Sequence, residues 1–222
     1  MNNELFDSPE LSQELTSAEY LEDGVIREKL GVDPEIAEWD GPEEAVIGNP
    51  EEADDHWHLQ SERNSCAVAC QEFVAEQLLE REFSEQELID YAKARDWYDP
   101  ASGTSITDIG KLLEAVGLRV ERSEHLTVSD LAMSLAEGEK VICGVNNMIL
   151  QEPALADLPG INANHAVEVI GIDYSDPGNP KVILNDPGVE NGRGIRHTLD
   201  VFMDAWKTSV HFAVIASRRE AA

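Results

Sequence analysis

The amino-acid sequence predicts an α+β architecture in which helices come first and mainly antiparallel strands follow. Three observations carry this. Apolar residues recur at helical spacing from His56 to Gly117, the period shifts toward two after Gly117, and Asp176-Pro177-Gly178-Asn179 supplies a turn between two apolar runs. Asn64 or Ser65 can cap a first helix running to about Glu80, with Ala67, Cys70, Val74 and Leu78 on one stripe. Ser84-Glu85-Gln86-Glu87 has the Ser-x-x-Glu form of a capping box and opens a second helix carrying Leu88, Ile89 and Ala92. A third helix is expected from Ser105 to Val116, stopped by Gly117. Leu118–Glu121 then reads as a strand, Ser129–Glu137 as a helix and Lys140–Val145 as a strand. His165–Tyr174 and Lys181–Asn185 read as strands, Leu199–Trp206 as a helix and His211–Ala216 as a last strand.

Charge narrows the function. The 222 residues include 45 Asp or Glu against 16 Lys or Arg, a net charge of −29, which repels a phosphate backbone or an anionic membrane surface. Nucleic acid and membrane are therefore excluded as partners. No window approaches the ~20 apolar residues of a membrane span, and the N-terminus lacks the basic patch and apolar run of a secretory signal. The three cysteines are too few and too irregularly spaced for a disulfide framework, so a cytoplasmic location is expected, with signal-less export as the alternative.

Residues 1–55 hold roughly 18 acidic residues against 2 basic ones and read as a partly disordered extension ahead of a folded domain over 56–222. Ser17–Leu21 and Ile26–Leu30 could each form a short amphipathic turn within it. A basic protein is the partner its charge would favour, although the acidity can equally reflect a high-salt habitat or solubility.

Four residues have the chemistry of a site. Cys66 falls in the first turn of its helix, where unpaired N–H groups and the positive end of the dipole favour a thiolate. His165 opens an apolar strand and could take the thiol proton. Asp186 ends the neighbouring strand before Pro187-Gly188 and could hold the imidazole. Asn185 is a rival for that task but faces the opposite side of the strand. Gln60, six residues before the cysteine, could donate to a developing oxyanion together with the Cys66 N–H. Cys70 and Cys143 read as core residues. His56 and His58 flank Trp57 and share one face of an extended segment, a spacing that can seat a metal, but no further ligand is apparent and none is assigned.

Gln60, Asn64-Ser65-Cys66-Ala67, Gly103-Thr104, His165-Ala166-Val167 and Asn185-Asp186-Pro187-Gly188, in that order, resemble the C39-like branch of the papain-like cysteine peptidases over roughly Trp57 to Ala216. The resemblance implies a papain-like fold whose N-terminal helical part carries the nucleophile and packs on the sheet. It also implies a Cys66-His165-Asp186 triad, with Gln60 in the oxyanion hole, cutting a peptide or isopeptide bond in a protein or peptide substrate without a cofactor. Family members often have Cys-Gly where this chain has Cys66-Ala67. Members fused to export transporters cut after a double glycine, a specificity that does not carry over to a chain with no transporter span. The alternatives are a non-catalytic peptide-binding module of the same fold and a transglutaminase-like acyl transferase or deamidase.

Overall fold

A computed structural model describes residues 45–219. The short turns read at Ser17–Leu21 and Ile26–Leu30 lie outside the described residues. The strands are β1 (Val46–Gly48), β2 (Arg119–Ser123), β3 (Lys140–Val145), β4 (His165–Asp173), β5 (Lys181–Asn185), β6 (Ile195–Thr198) and β7 (Ala213–Ser217). They form one sheet in the order β2-β7-β3-β4-β5-β6, with β1 beside the far end of β4, and every pairing is antiparallel. The helices are α1 (Pro50–Ala53), α2 (Cys66–Leu79), α3 (Glu85–Lys93), α4 (Lys111–Ala115), α5 (Val128–Ala136), α6 (Asn147–Gln151) and α7 (Leu199–Trp206).

Alternation along the strands covers the sheet on both faces. Ile142, Ala166 and Val214 point to α2 and α4, whereas Val141, Cys143, Val167, Val169, Val182 and Leu184 point to α5, α6 and α7. The helix layer expected on one face is therefore matched by a second on the other, centred on the buried Phe202 and Trp206. Cys70 and Cys143 lie in these two cores.

Two expectations change. Residues 45–55, read as part of the extension, contribute β1 and α1: Val46 pairs with Asp173, Gly48 with Gly171, and Ala53 packs on Ile170 and Ile183. The continuous helix expected from Ser105 to Val116 is a 3-10 turn, Ile106–Asp108, followed by α4. The break is Gly110, whose φ of +95° suits glycine. Its N–H donates to Gln71 Oε1 at 2.8 Å, and a Cβ at Gly110 would lie 2.9 Å from Val120 and 3.1 Å from Val214. Close packing on β2 and β7, fixed by a buried amide, overrides the helical period.

Elsewhere boundaries move by a residue or two. Ser84 accepts from the Glu87 N–H at the start of α3, and Thr127 with Asp130 forms a full capping box that begins α5 before Ser129. The strand β6 had no sequence signal, because Ile195-Arg196-His197-Thr198 offers one apolar residue and is held by pairing with β5.

Gly110→Ala places a side chain in a left-handed, crowded position. The expected loss is about 1–3 kcal/mol of folding free energy, seen as a lower urea midpoint with an unchanged slope.

Candidate active site

Cys66 is the first residue of α2, and α2 is buried around almost its whole circumference, polar residues Gln71, Glu72 and Gln77 included. Ser65 occupies the position before the helix, but its hydroxyl does not cap the backbone. It donates instead to Glu85 Oε1 at 2.7 Å, while Glu85 Oε2 accepts from the Ser61 N–H at 2.8 Å. The neighbouring Glu62 accepts from Lys93 Nζ at 3.0 Å and from the Tyr98 hydroxyl at 2.8 Å. Asn64 donates from Nδ2 to the Pro100 and Ala101 carbonyls. The loop that delivers Cys66 is thus pinned residue by residue to α3 and the 98–101 turn.

His165 and Asp186 meet through sheet register. His165 opens β4 and Asp186 directly follows the last residue of β5, and the pairing of Glu168 with Asn185 brings these two strand ends together. The His165 Nε2 to Asp186 Oδ1 distance is 2.7 Å, and Oδ1 also accepts from the Gly188 N–H at 2.8 Å. Asp186 has no solvent exposure. Asn185 turns the other way and donates to Glu168 Oε2 at 3.0 Å and to the Ala53 carbonyl at 2.9 Å, so the rival for the imidazole is occupied elsewhere.

Two supports of this turn were not read from the sequence as such. Trp57 Nε1 donates to the Asp186 carbonyl at 2.7 Å, and the Gln60 N–H donates to the Pro187 carbonyl at 2.9 Å. Gly188 sits against the imidazole: a Cβ there would be 2.7 Å from His165 Cε1 and 3.1 Å from Nε2. Its φ lies outside the positive range, so the glycine is needed for the side chain it lacks. The Asp-Pro-Gly signal marks a turn and cannot distinguish these two uses of glycine.

The ionisation states follow from these contacts. Burial alone would raise the Cys66 thiol, but the hydrogen bond and charge of His165 outweigh it and hold the thiol below its ordinary value. Burial pulls His165 down, yet its bonds to Asp186 and Cys66 carry it up to about 10. Burial raises Asp186, and the His165 bond with the Gly188 N–H brings it below the usual carboxylate value. Raised above its ordinary 6.5, His165 contributes stability fully below that pH and loses it as pH rises through about 10. Cys66 and Asp186, both lowered, contribute above their unfolded values and lose that stability as pH falls through the folded ones. Cys70 and Cys143, fully buried, are pushed up by desolvation and stay protonated.

Cys66, His165 and Gln60 line one cleft of about 460 Å³, with Ala67, Gly103, Thr104, Asn147 and Gly188 among the other walls. The Gln60 amide nitrogen donates to the Glu62 and Arg63 carbonyls at 2.8 Å each. His56 and His58 do share a face, and that face meets α2: His56 Nδ1 lies 3.1 Å from Glu76 Oε2 and His58 Nε2 lies 3.0 Å from Glu72 Oε2. The Glu72 bond carries His58 up to about 9 against burial. His58, Glu72 and Glu85 bring ligand atoms within 4.8 Å of one another, but hydrogen bonds already engage all three.

No family model matches the chain. Three uncharacterized mycobacterial proteins, Mb1299c of Mycobacterium bovis and MT1306 and Rv1268c of two Mycobacterium tuberculosis strains, are each 29% identical over 200 residues, covering 78% of this chain and 84% of theirs. Among solved structures, a Bacillus anthracis protein assigned as a C39-like peptidase superposes with a TM-score of 0.56 at 14% identity, over 74% of this chain and 95% of that one. The peptidase domain of Streptococcus ComA, a bi-functional ABC transporter involved in quorum sensing, gives 0.50 at 16% identity, over 73% and 98%. A double-glycine-motif protease from an AMS/PCAT transporter, in complex with a leader peptide, gives 0.50 at 14%, over 73% and 91%. The fold is that of the C39-like peptidases.

Within this C39-like fold, His165 is hydrogen-bonded to Asp186 and lines one cleft with Cys66 and Gln60. None of the described helices is long and apolar enough to cross a membrane.

Alkylation of Cys66 by iodoacetamide, followed by mass spectrometry across pH, is expected to show a thiolate pKa below the ordinary ~8.5. His165→Ala should return it toward that value and slow the reaction at pH 7. Gly188→Ala should raise the same pKa by crowding the imidazole off Asp186, whereas Gly178→Ala, in the exposed 176–179 turn, should leave it unchanged.

Proposed function

We propose that this protein is a papain-like cysteine peptidase that hydrolyses a peptide or isopeptide bond. The observation that supports the reading best is the 2.7 Å bond between His165 and the buried Asp186, behind a half-buried thiol at a helix start that opens on a cleft.

Asp186 engages Nε2 of the imidazole, which leaves Nδ1 for the thiol. His165 takes the Cys66 proton, and the thiolate attacks the substrate carbonyl carbon to give a tetrahedral adduct. The Cys66 backbone N–H, at the start of α2, is one donor to the oxyanion. The Gln60 amide is the second donor in this reading, and the oxyanion competes for its protons with the Glu62 and Arg63 carbonyls. The imidazolium protonates the leaving amine as the C–N bond breaks, giving a thioester. His165 then deprotonates a water that attacks the thioester; the C–S bond breaks and the acid is released. Asp186 holds the ring plane and balances the imidazolium throughout. A leader peptide bound to one of the structurally similar proteases is consistent with a peptide in this cleft.

The test is digestion of a peptide library with products read by mass spectrometry. Cleavage should vanish in Cys66→Ala and His165→Ala, and Gln60→Ala should lower kcat by about 10²–10³. The pH profile should rise as the Cys66 thiolate forms and fall near pH 10 as His165 loses its proton. A wild type that alkylates readily yet cuts nothing would sink the hydrolytic reading in favour of peptide binding.

A further inference from the structure

One residue in five of this chain is Asp or Glu, yet among the described residues neither lines the cleft. Its lining consists of small, amide, hydroxyl and aliphatic side chains together with Cys66, His165 and one further charged group, Arg63. Carboxylates near a thiolate and a developing oxyanion would oppose both, which accounts for their exclusion. That argument does not require a guanidinium.

Arg63 makes no ion pair among the described residues. Seven of the fourteen Lys and Arg among the described residues pair with carboxylates, as in Lys93–Glu62, Arg122–Glu114 and Arg196–Asp173; Arg63 is one of the seven that do not, and of the fourteen it alone lines the cleft. The nearest acid in sequence, Glu62, is already engaged by Lys93 and Tyr98. The backbone beneath Arg63 is fixed, since its carbonyl accepts from Gln60 and the next residue, Asn64, is tied to the 100–101 turn. The result is an exposed guanidinium on a rigid mount, three residues before Cys66. An extended peptide advances ~3.3 Å per residue, so a side chain of this length reaches substrate groups within about two residues of the attacked carbonyl.

We propose that Arg63 is a specificity residue that reads a carboxylate: the cleft takes a substrate with an Asp or Glu side chain, or a free C-terminal carboxylate, within about two residues of the scissile bond. Guanidinium suits this task because it can meet a carboxylate with two parallel hydrogen bonds. The strongly acidic surface does not contradict it, because exposed charges are largely screened beyond about 8 Å at physiological ionic strength, whereas contact with Arg63 is direct. The inference rests on the peptidase reading for the word substrate, but charge selection at Cys66 can be measured without turnover.

The first measurement is the rate of Cys66 alkylation by iodoacetate, an anion, relative to iodoacetamide, at a pH above the thiolate midpoint. It is made for the wild type, Arg63→Gln, Arg63→Glu and the surface control Arg81→Glu, which changes net charge equally. Arg63→Glu should lower the iodoacetate-to-iodoacetamide ratio about five- to tenfold, with Arg63→Gln between. The second is fluorescence anisotropy of labelled peptides on Cys66→Ala, comparing matched Glu, Gln and Lys side chains and free against amidated C-termini. Glu or free-acid peptides should bind more tightly than their Gln, Lys or amide partners, and Arg63→Glu should reverse the order; the two pairs tell a side chain from a terminus. A ratio that Arg63→Glu moves no more than Arg81→Glu does, or equal binding of Glu and Lys peptides, overturns the proposal. Anion preference that depends on Arg63 without cleavage of any peptide would sink the peptidase reading and leave this one standing. Cleavage without that preference would do the reverse.

Discussion

A carboxylate with no solvent exposure costs several kcal/mol unless charge and hydrogen bonds compensate it, and Asp186 is such a group. Its compensation organises the candidate site. His165 and the Gly188 N–H both reach Oδ1, which is possible only because residue 188 has no side chain to occupy the space of the imidazole. The turn that carries Asp186 is in turn held by Trp57 through the Asp186 carbonyl and by the Gln60 N–H through Pro187. Because His56 and His58 on the same segment bond Glu76 and Glu72 of α2, one short strap ties the acid turn to the helix that bears the thiol.

Polar groups inside the fold perform a similar positioning task around α2. Gln71 accepts from the Gly110 and Leu112 N–H groups and so caps α4, which forms part of the wall behind the nucleophile helix. Gln77 donates to Glu168, which Asn185 also reaches; burial raises this carboxyl to about 7. Glu85 fixes the loop before Cys66 through Ser61 and Ser65. In a low-dielectric interior such bonds are strong and an unmet group is costly, so these contacts favour a single arrangement of the thiol relative to the sheet.

The charge distribution has the same logic at larger scale. Among the described residues the surface carries many carboxylates, while those that line the cleft include none. A thiolate paired with an imidazolium is a neutral unit overall, and it persists over the pH range between a lowered cysteine and a raised histidine. Acidic groups beside it would narrow that range from the cysteine side.

Periodicity, caps and turn residues determined most of the elements: the helices around Cys66, Leu88 and Phe202, the strands at Val141, Val167 and Ile183, and the α+β order. They also determined which residues have the chemistry of a thiol site, since Cys66 at a helix start, His165 at a strand start and Asp186 at a strand end follow from local signals. What local signals cannot contain is contact across the chain. Only tertiary structure decided that Gly110 breaks a helix to fit between Val120 and Val214, and that β6 exists through pairing with β5. The same holds for Gly188, which makes room for an imidazole, and for Ser65, which serves Glu85 rather than its own helix. The physical reason is common to all four: each depends on an atom supplied by a residue distant in sequence, and burial makes that atom's position worth more than the local preference it displaces.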